Sequence, residues 1–387
     1  MLWPADGMMI PLEAEAYLAD RRDRGKGSDL PAGPVGLKEL AEHLGISVAT
    51  VSRVLNRSAA AHRISTRTQD LVWAAAEAMH YEPNHLARAL RRKKTYTMGV
   101  MVPEISEGYA ASVLSGIEGA LLQSGYFYFV VSHHHRAELL REYPRLLLSR
   151  AIEGLIAIDT PLERHLPIPV VAVSGHQRME NLTNLELDHT TAVRMALTHL
   201  NQLGHRRIAF IKGQEFSSDT HLRWSAIEQI SQELGLAIDP RLCVQLEGAE
   251  AGSDPGYQAA ARLLERRVPF TAIFAFNDHS AIGAVARLKE HGLQIPQDVS
   301  VVGFDDIPSA QTNNPSLTTV RQPLRSMGEM AANALLSYIE SRTDSQTESR
   351  TPKEMPATLV VKADFIVRNS TAPARKSSLK GWESHRP

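Results

Sequence analysis

Hydroxyl and guanidinium side chains stand close together near residue 50, where they could bind nucleic acid. The hydroxyls of Ser47, Thr50 and Ser52 can donate hydrogen bonds to phosphate oxygens. Arg53 follows directly and can donate two hydrogen bonds to the edge of a guanine. Small side chains beside them would let a helix enter the major groove closely. The predicted DNA contacts in this stretch are Ser47, Val48, Ala49, Thr50, Ser52 and Arg53.

Two short helices are predicted to position these side chains. Three leucines and an alanine in Leu37–Leu44 form one apolar face of a first helix, and Gly45 can adopt the positive φ that ends it. Ser47 is a good N-cap for a second helix, whose valines would pack back onto the first. Such a pair predicts a helix-turn-helix, and a purely structural helical hairpin is the alternative.

The distribution of charge favours the DNA-binding interpretation. Residues 36–97 contain ten basic and five acidic side chains, so this segment carries a net charge of +5. The whole chain of 387 residues carries −1, which leaves −6 for the remainder. A basic module joined to an acidic partner domain is typical of nucleic-acid-binding proteins, although any helical domain can have a basic face.

Composition predicts an ordinary soluble protein of the cytoplasm. Hydrophobic residues make up 43% of the chain and charged residues 22%, as in globular domains. A single cysteine, Cys243, cannot form an internal disulfide, and it is interpreted as a small buried hydrophobic residue. There is no long apolar run and no signal-like N-terminus. Residues 1–35 are predicted to be a disordered extension.

Beyond residue 97, short apolar strands alternate with helices. The predicted strands include 98–102, 154–158, 170–173, 208–212, 272–276 and 299–304. Continuous apolar strands between helices indicate parallel sheets covered on both faces. Two such series predict an α/β core of two doubly wound subdomains over residues 98–370, with crossovers near 188, 320 and 356 and a flexible tail over 371–387. Ligands in such folds bind at the carboxyl ends of the strands.

The helix-turn-helix segment closely resembles the headpiece of the lactose-repressor (LacI/GalR) family. The family signature Ser-Val-Ala-Thr-Val-Ser-Arg-Val-Leu-Asn is matched at residues 47–56, which implies that Asn56 also contacts DNA. A third helix over 66–79, with Ser65 as N-cap, would complete a DNA-binding headpiece at 36–83. The family's Gly-Tyr-x-Pro-Asn is matched from His80 with histidine in place of glycine, and Gly36 replaces the usual threonine cap.

Residues 84–97 resemble the family's hinge helix and linker. The resemblance implies that residues 84–92 fold on the operator and pair with the dimer mate, with Leu90 as a wedge in the minor groove and Ala87 as a close-packed contact. An apolar wedge unstacks a base step, while the basic residues at 91–94 neutralise phosphates. The alternative is a solvated basic linker.

The resemblance continues through Arg368 and implies a core similar to type I periplasmic sugar-binding proteins. Matched blocks begin at Asn201, Asn277, Asp298 and Leu317. By position, the resemblance assigns effector binding to Arg223, Asn277 and Asp305, and Tyr109 retains one ring of an aromatic pair that often lines the pocket. Their polar groups could hold vicinal hydroxyls of a sugar. The alternatives are a helix cap at Asn277, loop ordering by Asp305 and a surface ion pair at Arg223.

Other classes of function fit less well. No Gly-x-Ser-x-Gly, His-Glu-x-x-His or glycine-rich phosphate loop occurs, so we predict no catalytic residue and no cofactor. The run His133–His134–His135 lacks a spaced carboxylate or cysteine and is interpreted as a solvated loop rather than a metal site. A transport-type binding protein would lack the headpiece. The sequence therefore predicts a dimeric or tetrameric DNA-binding regulator, most simply a repressor, which binds a palindromic operator and responds to a small effector such as a sugar.

Overall fold

The computed structural model describes residues 35–56, 58–81, 94–105, 108–248, 252–347 and 356–375. The chain divides into two compact units, one ending at Thr95 and the other beginning at Tyr96. The predicted contacts Ala87 and Leu90, and nearly all of the extension predicted at 1–35, lie outside the described residues. Val35 is the exception, because its side chain is buried in the helical unit.

The first unit is a small helical domain, and capping residues mark where its helices begin and end. It consists of α1 (Leu37–Leu44), α2 (Val48–Leu55), a 3₁₀ turn (Ala59–Arg63) and α3 (Thr66–Ala78). Gly45, with φ of 66°, ends α1. Ser47 and Ser65 cap the next two helices by accepting hydrogen bonds from the N–H groups of Thr50 and Thr68.

The helical unit is held together by one apolar cluster. Each α-helix contributes a side chain with no solvent exposure, namely Leu40, Val51 and Val72. Helix α2 therefore has a buried face, which packs against α1 and α3, and an exposed face.

The second unit begins with a parallel six-stranded sheet, and we call the part of the core built around it the first lobe. Its strand order is β11-β5-β4-β3-β1-β2. Helices α4 and α11 pack on one face and α5 on the other. The strands are β1 (Thr97–Val102), β2 (Phe127–Ser132), β3 (Gly154–Ile158), β4 (Val170–Val173), β5 (Leu182–Leu187) and β11 (Thr358–Val361), and the helices are α4 (Tyr109–Gln123), α5 (Ala137–Ser149) and α11 (Leu324–Thr347).

A second six-stranded sheet forms the second lobe, with the order β12-β10-β9-β8-β6-β7. All its pairs are parallel except β10 with β12, and apolar clusters cover both faces. The strands are β6 (Ile208–Lys212), β7 (Cys243–Gln245), β8 (Ala272–Ala275), β9 (Ser300–Asp305), β10 (Thr318–Arg321) and β12 (Asp364–Ile366). The helices are α6 (His189–Gln202), α7 (Asp219–Glu233), α8 (Asp254–Glu265), α9 (Asp278–Glu290) and α10 (Pro308–Thr312), with a 3₁₀ turn at Pro240–Leu242.

Within the residues that the structure describes, the chain crosses between the lobes three times. It passes from β5 to α6 at Asp188 and from β10 to α11 at residues 322–323, close to the predicted positions. The third crossing joins β11 to β12 at residues 362–363, not near 356 as predicted.

The chain end predicted to be a flexible tail is in part bound to the core. The N–H groups of Ala372 and Ala374 donate to Ser300 Oγ and to the carbonyl of Leu203, at 3.0 and 2.8 Å. Arg375 lies 3.3 Å from the carboxylate of Asp298. The core therefore extends through residue 375, because backbone groups there have partners in the second lobe. Within the described ranges, every helix is too short or too polar to cross a membrane.

Two helices of the first lobe approach each other through glycines, and this contact gives a stability prediction. A Cβ atom at Gly116 of α4 would lie 1.9 Å from the carbonyl oxygen of Arg325, whereas one at Gly119 would meet no atom of the described residues within 4 Å. Gly116→Ala is expected to destabilise the protein by about 1–3 kcal/mol through overpacking. Gly119→Ala, the matched control on the same helix, should instead stabilise by about 0.5–1 kcal/mol. Denaturant unfolding measures both, and equal effects would contradict the close contact.

Candidate nucleic-acid interface and ligand cavity

Helix α2 presents the residues predicted to contact DNA on its exposed side. Ser47, Val48, Ala49 and Arg53 are exposed, and Thr50 and Ser52 are half-buried. Val48, an apolar side chain at the start of the helix, is 44% exposed. An exposed apolar residue followed by small residues leaves room for a base edge to approach the helix.

The polar side chains of α2 are ordered by hydrogen bonds with each other. The hydroxyls of Ser47 and Thr50 are 2.9 Å apart. Asn56 Nδ2 donates to the carbonyl of Ser52 at 2.7 Å and to its hydroxyl at 3.2 Å. Asn56 thus stabilises the C-terminal end of α2, a role that the sequence prediction did not include.

A cavity of about 160 Å³ lies between the two lobes, at the carboxyl ends of their strands. Each of the four residues predicted to bind an effector lines it. Tyr109 comes from the start of α4 in the first lobe. The second lobe supplies Arg223 from α7, Asn277 two residues after β8 and Asp305 at the end of β9. The geometry therefore brings together side chains that are widely separated in sequence.

Arg223 is buried at the floor of the cavity. Its side chain is 4% exposed, and its guanidinium lies over the rings of Phe276 and Phe304, at 4.3 and 3.7 Å from their centroids. One nitrogen donates to Asp219 Oδ2 at 3.1 Å, and another donates to the carbonyl of Phe276. The acid that pairs with Arg223 is therefore buried, so the predicted alternative of a surface ion pair is wrong. The stacked rings hold the guanidinium in one orientation.

Asp305 presents a carboxylate to the cavity from a constrained backbone. Its φ is 111°, a value that costs a non-glycine residue on the order of 1–3 kcal/mol and is found mostly at functional sites. Oδ1 accepts a hydrogen bond from Gln322 Nε2 at 2.7 Å. Burial raises the pKa of Asp305 to about 7, although Arg223 acts in the opposite direction. The carboxylate can therefore change its charge near neutral pH.

Asn277 and Tyr109 complete the predicted set. Asn277 Oδ1 accepts from the N–H of Ser280 at 2.8 Å, so it does cap α9, as the alternative interpretation predicted, while it also lines the cavity. The Tyr109 hydroxyl lies 2.6 Å from Ser174 Oγ. Burial and nearby carboxylates, Asp219 first among them, raise the pKa of Tyr109 well above its usual value, so its hydroxyl stays a hydrogen-bond donor.

Several cavity residues were not predicted, although three of them carry a signal in the sequence. Asp159 and Ser174 stand directly after the apolar strands β3 and β4, at the strand ends where ligands bind. Asp219 stands four residues before Arg223, the spacing of an ion pair on a helix. The remaining unpredicted lining residues include Glu104, His135, Gln214, Phe216, His279 and Gln322.

Hydrogen bonds connect the two lobes beside the cavity. The hydroxyl of Ser218 donates to Asp159 Oδ1 at 3.0 Å, and His176 Nε2 donates to Asp219 Oδ1 at 2.9 Å. Burial and the nearby charge of Asp219 raise the pKa of Asp159 to about 6. Burial also acts to raise the pKa of Asp219, but hydrogen bonds from His176 and His189 hold it well below its usual range. Asp219 therefore remains ionised.

The histidine run at 133–135 and the single cysteine lie in ordered surroundings. His133 is buried, with Nε2 at 3.0 Å from Thr160 Oγ1, and burial lowers its pKa to about 4. The His135 ring packs against Phe216, with their centroids 3.8 Å apart. The prediction of a solvated loop is therefore wrong for these two histidines. Cys243 is half-buried rather than buried, and burial raises its pKa to about 11.

Comparison with protein families finds one matching domain in each of the two structural units. The model of bacterial regulatory proteins of the lacI family matches residues 36–84, which include α1, α2 and α3. The periplasmic binding protein-like domain matches residues 197–370, which include most of the second lobe.

Individual relatives extend the match over most of the chain. The HTH-type transcriptional repressor PurR of Erwinia tasmaniensis is 30% identical over 321 residues, 80% of this chain and 92% of that protein. The Lac repressor dimer bound to operator and the anti-inducer ONPF superposes with a TM-score of 0.76 at 25% identity, covering 88% of this chain and 100% of that one. The complex of the regulator CelR with cellobiose superposes with a TM-score of 0.63 at 26% identity, covering 87% of this chain and 99% of that one. The chain belongs to the lacI family of bacterial regulatory proteins, and it is a DNA-binding transcriptional regulator rather than an enzyme.

Proposed function

We propose that this regulator is a repressor that binds a palindromic operator as a dimer and changes its operator affinity when a small polyhydroxylated effector enters the interlobe cavity. The observation that carries the proposal is the convergence of Tyr109, Arg223, Asn277 and Asp305 on one cavity in a chain that also has an exposed recognition helix. PurR is named a repressor, and the Lac repressor structure is a dimer on its operator.

The DNA-binding half of the proposal rests on α2. Its N-terminal residues are small and exposed, and Arg53 is exposed one and a half turns further on. A dimer presents two such helices related by a two-fold axis, and an operator with the same symmetry accommodates both. Ser47, Thr50 and Ser52 would bind phosphates, Val48, Ala49 and Arg53 would contact base edges, and Asn56 would support the end of the helix. Ala87 and Leu90 stay proposed minor-groove contacts.

Arg53→Ala is expected to weaken binding to the preferred operator by about 1–3 kcal/mol and to relax base preference at one position in each half-site. Selection of binding sites from a random duplex library would identify the operator, and binding to single-base variants would measure the preference. Arg63→Ala is the control, because Arg63 is exposed in the same unit but outside α2. Equal loss on all duplexes after Arg53→Ala would indicate a phosphate contact instead.

The effector half of the proposal rests on the chemistry of the cavity. Carboxylates at Asp159 and Asp305 accept hydrogen bonds, Arg223 donates them, and the ring of Phe276 offers an apolar surface. This combination suits the hydroxyls and the C–H face of a sugar. CelR is described in complex with cellobiose, which agrees with this class of effector. The assignment of this chain as a transcriptional regulator does not depend on the effector being a sugar.

Calorimetry tests whether the effector is a sugar. The full-length dimer is titrated with a panel of mono- and disaccharides, in the presence and absence of operator DNA. A ligand can change operator affinity only if it binds one lobe arrangement more tightly than the other. We therefore expect at least one sugar to bind with different affinity to the free and the DNA-bound protein. If no sugar binds, and a ligand of another class binds in the cavity, the sugar assignment is wrong.

A further inference from the structure

Three side chains near the cavity form a compact cluster that the effector proposal does not use. His176 follows β4 in the first lobe, His189 is the first residue of α6, and Asp219 is the first residue of α7. One ligand atom from each lies within 4.8 Å of the other two. His189 is 6% exposed, as is Asp219, so the cluster is largely removed from solvent.

The two imidazoles converge on one carboxylate oxygen. His176 Nε2 lies 2.9 Å from Asp219 Oδ1, and His189 Nε2 lies 3.2 Å from the same atom. Two ligands of a tetrahedral zinc ion, with bonds near 2 Å, are roughly 3.3 Å apart. Both nitrogen–oxygen separations are therefore within roughly 0.4 Å of the spacing of two ligands on one zinc ion.

The surroundings orient the ligand atoms as outer partners do in metal sites. Arg223 holds Asp219 Oδ2 at 3.1 Å, which leaves Oδ1 to face the histidines. Glu186 Oε1 lies 3.5 Å from His176 Nδ1, the nitrogen that must carry the proton when Nε2 binds a metal. A carboxylate behind a metal-binding histidine fixes its tautomer and raises its basicity. The negative charge of Glu186 offsets the positive charge of Arg223. The negative charge of the Asp219 carboxylate therefore stays available to the ion.

We propose that His176, His189 and Asp219 form a binding site for a divalent transition-metal ion of the Zn²⁺ type, with at least one coordination position left for water. Imidazole nitrogen and carboxylate oxygen are ligands that zinc accepts, and three protein ligands are usual where a position stays open. Because His176 belongs to the first lobe and Asp219 to the second, a bound ion favours the lobe arrangement in which the two are close. Metal binding is thereby linked to the cavity, which Asp219 also lines.

Calorimetry tests the site by titrating the chelator-treated full-length protein with ZnCl₂. Titration with CoCl₂ adds a visible absorption band that reports how the ion is coordinated. We expect one ion per chain. His176→Asn and His189→Asn should each weaken binding by at least roughly tenfold, the lower limit for loss of even an outer partner. The matched control His199→Asn, ten residues further along α6, should bind as the wild type does.

Two further variants distinguish binding at this cluster from binding at the histidine run 133–135. Glu186→Gln keeps the size of a partly exposed side chain and should weaken Zn²⁺ binding by about 10- to 100-fold without unfolding the protein. His134→Asn removes an exposed histidine of the 133–135 run and should have no effect. The proposal is overturned if no saturable binding of one ion per chain is observed, or if binding survives unchanged in His176→Asn and His189→Asn, whether or not it is lost in His134→Asn.

Discussion

Asp305→Asn is expected to weaken effector binding on the order of 100-fold and to remove the response of operator binding to the effector. The side chain is 6% exposed and lines the cavity, so a ligand hydroxyl that donates to it is shielded from water. A hydrogen bond to a charged group contributes about 1.5–3 kcal/mol, and the amide removes the charge. Calorimetry with the active sugar measures the affinity, and operator titration measures the response.

The neighbouring Asp306 provides the matched control. Its carboxylate pairs with Arg321 and Arg368, both at 2.6 Å, and it does not line the cavity. Asp306→Asn should therefore leave effector affinity nearly unchanged. Both variants should bind operator normally without ligand, because the recognition helix is in the other unit. If Asp305→Asn retained full effector affinity, the effector would have to bind elsewhere.

The pH dependence of binding gives a second test of the same carboxylate. Since burial raises the pKa of Asp305 to about 7, a large fraction of the ligand-free protein has this group protonated at neutral pH. Hydroxyl donors bind the ionised form more strongly, so effector affinity should increase between about pH 6 and pH 8. Asp305→Asn should reduce this increase.

The sequence predicts the headpiece well because its signals are local. Gly45, Ser47 and Ser65 each end or begin a helix by a contact within three or four residues, and such contacts can be inferred from spacing. Strands β3 and β4 are entirely apolar and buried, and their predicted bounds are the bounds observed. Asn277 and Asp305 could be placed at strand ends for the same reason.

Elements that depend on distant partners were missed. Strand β5 contains Thr183 and Asn184, which are polar yet buried. Thr183 donates to the carbonyl of Pro356 at 2.6 Å, and Asn184 donates to that of Gln177 at 2.9 Å. Nothing in the local pattern reveals those acceptors. Asp219 has a local signal in its spacing from Arg223, but its histidine partners come from two other segments and could not be inferred.

Asp219→Ala is expected to lower the free energy of unfolding by about 3–5 kcal/mol, the usual cost of removing one member of a buried ion pair. Without the carboxylate, the Arg223 guanidinium stays enclosed between Phe276 and Phe304 without the acid that it pairs with. His176 and His189 lose the same acceptor. Denaturant unfolding monitored by circular dichroism measures the loss.

An exposed pair with the same spacing isolates the effect of burial. Arg325 and Glu329 also stand four residues apart on a helix, 3.3 Å from each other, but their side chains are 70% and 46% exposed. Glu329→Ala should therefore cost less than about 1 kcal/mol, because solvent screens the pair. The double variant Asp219→Ala/Arg223→Met should recover part of the stability lost in Asp219→Ala, since it removes the uncompensated charge. A double variant less stable than Asp219→Ala would show that packing of the arginine between the two rings outweighs the cost of its charge.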